Sequence, residues 1–340
     1  MVEAQETNAK EGYFASDNFT VGWTCSYIPE EIIAAAGLKP YRLVADGTKV
    51  TRADACLPGN FCAQVTGCLD AGLAGRYPYL SGVVIGFSCN AAVHLYNAWR
   101  RCITHGFVYG LELPRRDTPE ARKFFSKNLG HLLLALEQHY GRRVSQEDLW
   151  RAIAETAETR RLLRHLYHLR REARPLVSGS EAMALVRMAA TIPKNELNPD
   201  LVRIIDNLTA KKETAGGSRP RILVTGGILP PALVELIEEC GGLVVCEDAC
   251  NGLRYFTGME NTGDTWESGD PLLKLATAYL GKPPCPRMSR AAETRSAELI
   301  KLAREYRADG VVYYSLKFCD VNLYEFPLLK KTWVKPVSRF

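Results

Sequence analysis

The chain has 340 residues, of which 46% are hydrophobic and 24% charged, a balance typical of a globular protein rather than a disordered one. Its net charge of +5 is spread along the sequence without a basic block, so the composition does not favour nucleic-acid binding. At this length the chain can form two ordinary domains, each with its own buried core.

No segment resembles a targeting or membrane-spanning sequence. Residues 1–14 are polar and lack a signal-peptide pattern, and no stretch approaches the roughly 18 apolar residues of a membrane span. We therefore expect a cytoplasmic protein that does not bind a membrane. Disulfides are rare in a reducing cytoplasm, and the odd count of eleven cysteines argues against a complete set of them.

Residues 1–118 alternate apolar runs with helical patterns. The segment Pro29–Gly37 predicts a short helix, because proline and two acidic residues lie at its start and glycine at its end. Further elements are predicted in chain order: a strand at Tyr41–Ala45, a helix at Leu69–Leu73, a strand at Val83–Phe87 and a helix at Ala91–Arg101. Strands that alternate with helices indicate a parallel sheet.

Residues 119–215 have a different pattern. Leucines and other apolar residues recur there at spacings of three and four, which predicts a helical segment that inserts between or bridges two domains. The charged and then glycine-rich stretch Lys211–Pro220 is the best candidate for a linker.

Residues 216–340 return to alternating strands and helices. The predicted elements are a strand at Arg221–Gly227, a helix at Pro230–Cys240, a strand at Gly242–Cys246, a helix at Ala297–Tyr306, a strand at Gly310–Leu316 and a helix at Asn322–Lys330. We predict an α/β fold in which two parallel-sheet domains, 1–118 and 216–340, flank the helical segment.

Three cysteines stand out by their position. Cys25, Cys89 and Cys319 each lie just before a predicted helix, where free backbone N–H groups and the helix dipole favour negative charge. Such a place stabilises a thiolate, and equally an anionic iron–sulfur cluster that thiolates hold. Cysteines so far apart in sequence can meet only if the two domains face each other across a cleft.

The spacing of the cysteines matches no ferredoxin or zinc motif, and the six histidines do not fall at metal-binding spacings with them. Five cysteines are interpreted as small buried hydrophobes: Cys56, Cys68, Cys102, Cys240 and Cys246.

Catalytic residues stay unassigned at this point. His94, on the helix after Cys89, is a candidate proton donor, and Glu247 is a second candidate beside the proposed site. The glycine turn after Thr225 lacks the form of a phosphate-binding loop, so any ATP chemistry would belong to a partner.

Several separated motifs resemble a known family. They are Gly22–Gly37, Ala53–Cys62, Phe87–Asn90, Glu247–Phe256, Pro283–Met288 and Lys317–Asp320. In this order they are similar to the D-component subunits of 2-hydroxyacyl-CoA dehydratases and to benzoyl-CoA reductase subunits, with the closest likeness to the double-cubane cluster proteins. The resemblance covers nearly the whole chain.

The resemblance implies two flavodoxin-like domains with an iron–sulfur cluster in the cleft between them. The positions that match the ligands of the single [4Fe–4S] cluster in dehydratase subunits are Cys25, Cys89 and Cys319. Three further cysteines lie in family motifs: Cys62, Cys250 and Cys285. Six ligands are the set expected of the double-cubane cluster proteins, a homodimeric branch in which two cubanes share a sulfide in an [8Fe–9S] cluster.

The implied function is that of a reductase component driven by a separate ATP-hydrolysing activase with its own [4Fe–4S] cluster. Its expected substrates are small unsaturated molecules, such as acetylene-like compounds. One alternative is a [4Fe–4S] subunit of a 2-hydroxyacyl-CoA dehydratase or aryl-CoA reductase, which needs a dissimilar partner subunit. A further alternative is a non-enzymatic electron-relay protein.

Overall fold

The computed structural model describes residues 19–45, 47, 49–211, 218–259, 269–289 and 291–333. Residues 1–14 and most of the predicted linker, at 212–217, lie outside the described residues. Two parallel sheets, one of four strands and one of three, are flanked by helices, which confirms the predicted α/β fold class. In these ranges no helix combines the length and the apolar character needed to cross a membrane.

The first sheet has the strand order β2-β1-β3-β4, and every pair is parallel. Its strands are β1 (Thr20–Trp23), β2 (Lys39–Arg42), β3 (Leu80–Gly86) and β4 (Phe107–Leu111). The helices that follow its first three strands are α1 (Glu30–Ala35), α2 (Ala63–Leu73) and α3 (Asn90–Cys102), and a 3₁₀ turn lies at Ala53–Ala55.

Four helices occupy the middle of the chain: α4 (Pro119–Tyr140), α5 (Gln146–Leu169), α6 (Gly179–Ala189) and α7 (Lys194–Lys211). The side chains of Thr118, Ser145 and Ser178 cap the starts of α4, α5 and α6 by accepting backbone N–H groups of the first turn. The helices α4 and α5 pack against α1 of the first sheet. The domain boundaries at residues 118 and 215 stay predictions.

The second sheet has the order β6-β5-β7, again with parallel pairs. Its strands are β5 (Arg221–Gly226), β6 (Leu243–Asp248) and β7 (Gly310–Tyr314). The helices of this part are α8 (Pro231–Glu239), α9 (Leu253–Phe256), α10 (Pro271–Leu280), α11 (Ala291–Glu305) and α12 (Asp320–Trp333). Contacts of α10 with α4, and of α6 with β6 and α8, join this part to the middle helices.

Both sheets contain a topological switch point, where the strand order reverses between β1 and β3 and between β5 and β7. The crevice beyond the strand ends at such a point is the usual ligand site of an open α/β sheet. At the second switch point, a Cβ on Gly226 would clash with the carbonyl oxygen of Tyr314, so only glycine lets the two strand ends approach this closely.

Two buried carboxylates on α1 tie the first sheet to the rest of the molecule. Glu31 accepts hydrogen bonds from Arg160 of α5 and Tyr279 of α10, both at 2.7 Å. Glu30 accepts from Lys194 of α7 at 2.7 Å and from Tyr255 of α9 at 2.5 Å. Because these groups are almost fully buried, removal of one partner leaves a charge without compensation.

Variants of two neighbouring arginines on α5 test how much this buried network stabilises the protein. We expect Arg160→Met to lower the free energy of unfolding by about 3–5 kcal/mol, because it removes the positively charged partner of the buried Glu31 carboxylate. The matched control is Arg161→Met, since Arg161 is 60% exposed and pairs with Glu158 on the surface. We expect that change to cost less than about 1 kcal/mol. Anaerobic urea unfolding measures both, and equal effects would contradict a structural role for the buried pair.

Candidate functional site

Six of the eleven cysteines lie at the facing edges of the two sheets, in two groups of three. Cys25 follows β1, Cys250 follows β6, and Cys285 lies between α10 and α11. We call these three cysteines the inner triad. Cys62, Cys89 and Cys319 directly precede α2, α3 and α12, and we call them the outer triad.

The thiols of the inner triad act on one another. Burial raises the pKa of Cys25, and the neighbouring thiol of Cys250 raises it further. Burial raises the pKa of Cys285 to about 11, and the thiols of Cys250 and Cys25 add to this rise. Three chain segments that are distant in sequence therefore bring their thiols close enough to interact electrostatically.

The outer triad forms in the same way at the starts of three helices. Burial raises the pKa of Cys62 to about 11, and the thiols of Cys319 and Cys89 contribute. Burial also raises the pKa of Cys319, with contributions from Cys89 and from Cys250. Since Cys250 belongs to the inner triad, this last electrostatic interaction links the two triads.

Buried cations surround the inner triad. Arg42 donates from Nη1 to the carbonyl oxygen of Cys250 at 2.7 Å, and Arg287 donates to that of Pro114 at 2.9 Å. Arg254 donates to the carbonyl oxygen of Gly226. The thiols of this triad lie in the electrostatic field of all three arginines.

Some buried N–H groups of these guanidinium groups have no hydrogen-bond acceptor among the described residues. Nε and Nη2 of Arg42, Nε and Nη2 of Arg287, and Nε of Arg254 lack a hydrogen-bond partner within the described ranges. A buried donor without a partner costs about 1–3 kcal/mol, and more when the group is charged. The pocket therefore contains positive charge and hydrogen-bond donors without a matching acceptor. These donors suit an anionic group bound by the cysteines.

Lys282 adds a fourth cation to this pocket. Its Nζ donates to the carbonyl oxygen of Ser26 at 3.0 Å, next to Cys25. Burial lowers the pKa of Lys282 to about 7, with help from Arg160 and Arg42, while the thiols of Cys25 and Cys250 act in the opposite direction. An anion at the inner triad would strengthen that opposing effect and favour the charged form of Lys282.

The outer triad is stabilised by different groups. Backbone N–H groups at Val65 and Gln64 in the first turn of α2 favour the thiolate of Cys62. The side-chain amide of Asn322 donates to Sγ of Cys319 at 3.0 Å. The strongest neighbours of Cys62 and Cys319 are thus neutral donors, whereas those of the inner triad include arginines.

The described residues contain no site for a single metal ion. Among the described residues, no three His, Cys, Asp or Glu side chains converge on one ion position. A zinc site needs its thiolates within about 2.3 Å of one ion. In an iron–sulfur cubane each thiolate binds a different iron atom, so the sulfur ligands stand farther apart. Two triads of thiols, with unpartnered N–H donors around one of them, have the chemistry to hold such clusters.

Comparison with known proteins identifies the family. The model of the 2-hydroxyglutaryl-CoA dehydratase D-component matches residues 25–336, which is nearly the whole chain. The chain belongs to this D-component family. The resemblance inferred from the motifs is thereby confirmed.

Curated relatives of this D-component family cover similar lengths. The chain is 24% identical over 315 residues to the (R)-phenyllactyl-CoA dehydratase beta subunit of Clostridium sporogenes, covering 92% of this chain and 82% of the relative. It is 26% identical over 317 residues to one of the subunits of benzoyl-CoA reductase from Thauera aromatica, covering 89% and 79%. It is 23% identical over 332 residues to the beta subunit of (R)-2-hydroxyglutaryl-CoA dehydratase from Acidaminococcus fermentans, covering 94% and 85%. These relatives are dehydratases and reductases, which supports an enzymatic role for a D-component of this kind.

In this D-component, the two candidate catalytic residues lie in very different surroundings. Glu247 is fully buried, accepts from both terminal nitrogens of Arg170 and accepts from the hydroxyl of Tyr167 at 2.6 Å. These bonds hold β6 to the end of α5. His94 is exposed on α3, and its ring packs against Phe61 with centroids 5.2 Å apart. Of the two, His94 has the access to solvent that a proton donor needs.

A cleft of about 1020 Å³ lies between residues of the two sheets. Its walls include Arg42 at the end of β2, Asn251 beside Cys250, and Leu316 just before Cys319. The cleft therefore opens next to residues that flank the cysteines, although none of the six cysteines lines it. Its aromatic wall consists of Tyr41, Tyr77, Tyr79 and Tyr314.

The arginines of the inner triad were missed in the sequence analysis. Arg254 and Arg287 lie four and two residues after Cys250 and Cys285, inside the family motifs, so local spacing could have drawn attention to them. Arg42 gives no such signal, because only the pairing of β2 with β1 brings it to the strand ends beside Cys250.

Proposed function

We propose that this chain is the iron–sulfur component of an ATP-dependent reductase and that it binds a double-cubane [8Fe–9S] cluster. The inner triad of Cys25, Cys250 and Cys285 would hold one cubane, and the outer triad would hold the other. One observation carries this proposal: buried arginines with unpartnered N–H groups lie among Cys25, Cys250 and Cys285. The thiols of the outer triad also interact electrostatically with one another, and Cys319 interacts with Cys250.

The charges of the pocket support this assignment. Six thiolates and their cluster would bring a large negative charge into a buried site, which is unfavourable without compensation. The unpartnered N–H groups of Arg42, Arg254 and Arg287 offer charge-assisted hydrogen bonds at the inner triad. The amino ends of α2 and α3 and the amide of Asn322 offer neutral donors at the outer one.

The electron donor in this proposal is a separate ATP-hydrolysing activase that carries its own [4Fe–4S] cluster. The bound double cubane would supply electrons at low potential for the reduction of small unsaturated molecules, such as acetylene-like compounds. The protein would hold the cluster, limit water at the inner triad and admit substrate through the cleft. His94, exposed near the outer triad, is the candidate proton donor. The assembly in this proposal is a homodimer.

The second candidate is a single-cluster subunit of a 2-hydroxyacyl-CoA dehydratase or aryl-CoA reductase. The relatives favour it, because their names describe subunits of enzymes that act on CoA thioesters. In that case a dissimilar subunit would complete the enzyme, and Cys25, Cys89 and Cys319 would hold one [4Fe–4S] cluster. Against that assignment, the proposal of two triads rests on the electrostatic interaction of Cys25 with Cys250, and of Cys319 with Cys89 and Cys250.

Metal content separates the two candidates. We expect anaerobically purified protein to contain about eight iron and nine sulfide per chain, against about four of each for a single cubane. Cys62→Ser, Cys250→Ser and Cys285→Ser should each lower the iron content, because each removes a ligand. Cys240→Ser, at an exposed position outside both triads, is the matched control. About four iron per chain, unchanged in the first three variants, would contradict the proposal.

Turnover separates the substrate classes. With the activase, ATP and acetylene, we expect the protein alone to form ethylene by the addition of two electrons and two protons. Omission of ATP is the control and should abolish the reaction. Failure with acetylene, together with activity on a 2-hydroxyacyl-CoA once a dissimilar subunit is added, would support the second candidate instead.

The cations around the inner triad predict a shift of the reduction potential. A unit charge at roughly 10 Å and an effective dielectric of about 20 contributes about 1.7 kcal/mol, which corresponds to roughly 70 mV. Arg42→Met removes a positive charge, so we expect it to lower a midpoint potential by an amount of this order. Redox titration followed by EPR measures it.

The control for this titration is Arg187→Met, which changes an exposed arginine in the wall of the same cleft. We expect that variant to leave the potential nearly unchanged, since solvent screens the charge. An equal shift in both variants, or no shift with Arg42→Met, would contradict the role assigned to the buried guanidinium.

A further inference from the structure

Outside both triads, the thiols of Cys56 and Cys102 are in direct contact. Their Sγ atoms are 2.8 Å apart, although the two residues are 46 positions apart in sequence. Both side chains are half-buried, so small molecules in solution can reach them. Their sequence positions indicate small buried hydrophobes, but the contact between them gives the pair a chemistry that neither has alone.

The backbone holds Cys56 firmly in this place. Cys56 follows the 3₁₀ turn Ala53–Ala55, and its N–H group donates to the carbonyl oxygen of Ala53 at 2.9 Å. The buried carboxylate of Asp70 on α2 fixes that turn by accepting the N–H groups of Thr51, Arg52 and Ala53 at 2.8, 2.6 and 3.1 Å. The turn and α2 therefore form one rigid unit.

The helix α3 positions Cys102. It is the last residue of α3, which packs along α2. Both cysteines thus stand on elements that pack against the same helix. Two cysteines can be bridged without backbone movement only when their side chains already approach each other, and this condition is met here.

We propose that Cys56 and Cys102 form a dithiol–disulfide site that reacts with low-molecular-weight disulfides such as glutathione disulfide. The thiolate of one cysteine attacks a sulfur atom of the oxidant, which forms a mixed disulfide and releases one glutathione thiolate. The second cysteine then attacks the protein sulfur of that mixed disulfide and releases the other glutathione. The protein loses two hydrogen atoms, and one disulfide is reduced to two thiols.

The surroundings of the pair suit this exchange. The hydrogen bond with Cys102 raises the pKa of Cys56, as does burial, while the neighbouring Arg101 acts in the opposite direction and favours the thiolate. A disulfide between Cys56 and Cys102 would also cross-link two segments that carry cysteines of the outer triad. The segment from Cys56 leads to Cys62, and the helix that ends at Cys102 follows Cys89.

Peptide mapping of the iron-loaded protein tests this site directly. We expect anaerobic incubation with glutathione disulfide, followed by alkylation and proteolysis, to yield one linked peptide that joins Cys56 to Cys102 with the loss of two hydrogens. The iron content should stay unchanged, which shows that the triad cysteines have not reacted. The site does not depend on the type of cluster, so its failure would leave the proposed function untouched.

Two variants sharpen the assignment. Cys56→Ser should abolish the linked peptide and leave Cys102 as a glutathione adduct, because the resolving thiol is absent. Cys240→Ser, which removes an exposed cysteine at the end of α8, should give the linked peptide in full. Separate adducts on Cys56 and Cys102 in the unaltered protein, without a linked peptide, would overturn the proposal, as would two thiols that remain free.

Discussion

Buried arginines beside the cysteines set the main electrostatic requirement of this structure. Arg42, Arg254 and Arg287 carry N–H groups that no described protein atom accepts. A folded chain rarely leaves such groups unpaired, because a buried donor without an acceptor loses its hydrogen bonds to water and gains none in the protein. The arrangement makes sense if an anion completes it. The thiols of Cys25 and Cys285, held among these arginines, are the groups that would bind one.

That arrangement requires three segments that are distant in sequence to keep fixed relative positions. The buried hydrogen-bond network on α1 holds the segment of Cys25 in place. Glu30 and Glu31 follow the Cys25 loop directly and bind partners from four helices of the middle and second parts. Since α1 cannot move without breaking these bonds, Cys25 stays opposite the segment of Cys250. The switch points of both sheets then direct Cys89 and Cys319 toward the same crevice.

Local signals in the sequence predicted much of this, and long-range packing accounts for the rest. The strand-to-helix positions of Cys89 and Cys319 follow from apolar runs and helix starts, which are local. The strand β1 has only four residues, too few to show a pattern, and it was missed. The division into triads was also beyond the sequence. Cys25, Cys89 and Cys319 share a local signature, but only the folded structure shows that Cys25 also interacts with Cys250 and Cys285.

Anomalous iron density in an anaerobic crystal structure would show which iron atoms the six cysteines bind. We expect two adjacent groups of iron. One is bound by Cys25, Cys250 and Cys285 beside the three arginines, and the other by Cys62, Cys89 and Cys319. A single group of iron held by Cys25, Cys89 and Cys319, with the guanidinium groups still unpaired, would contradict this expectation.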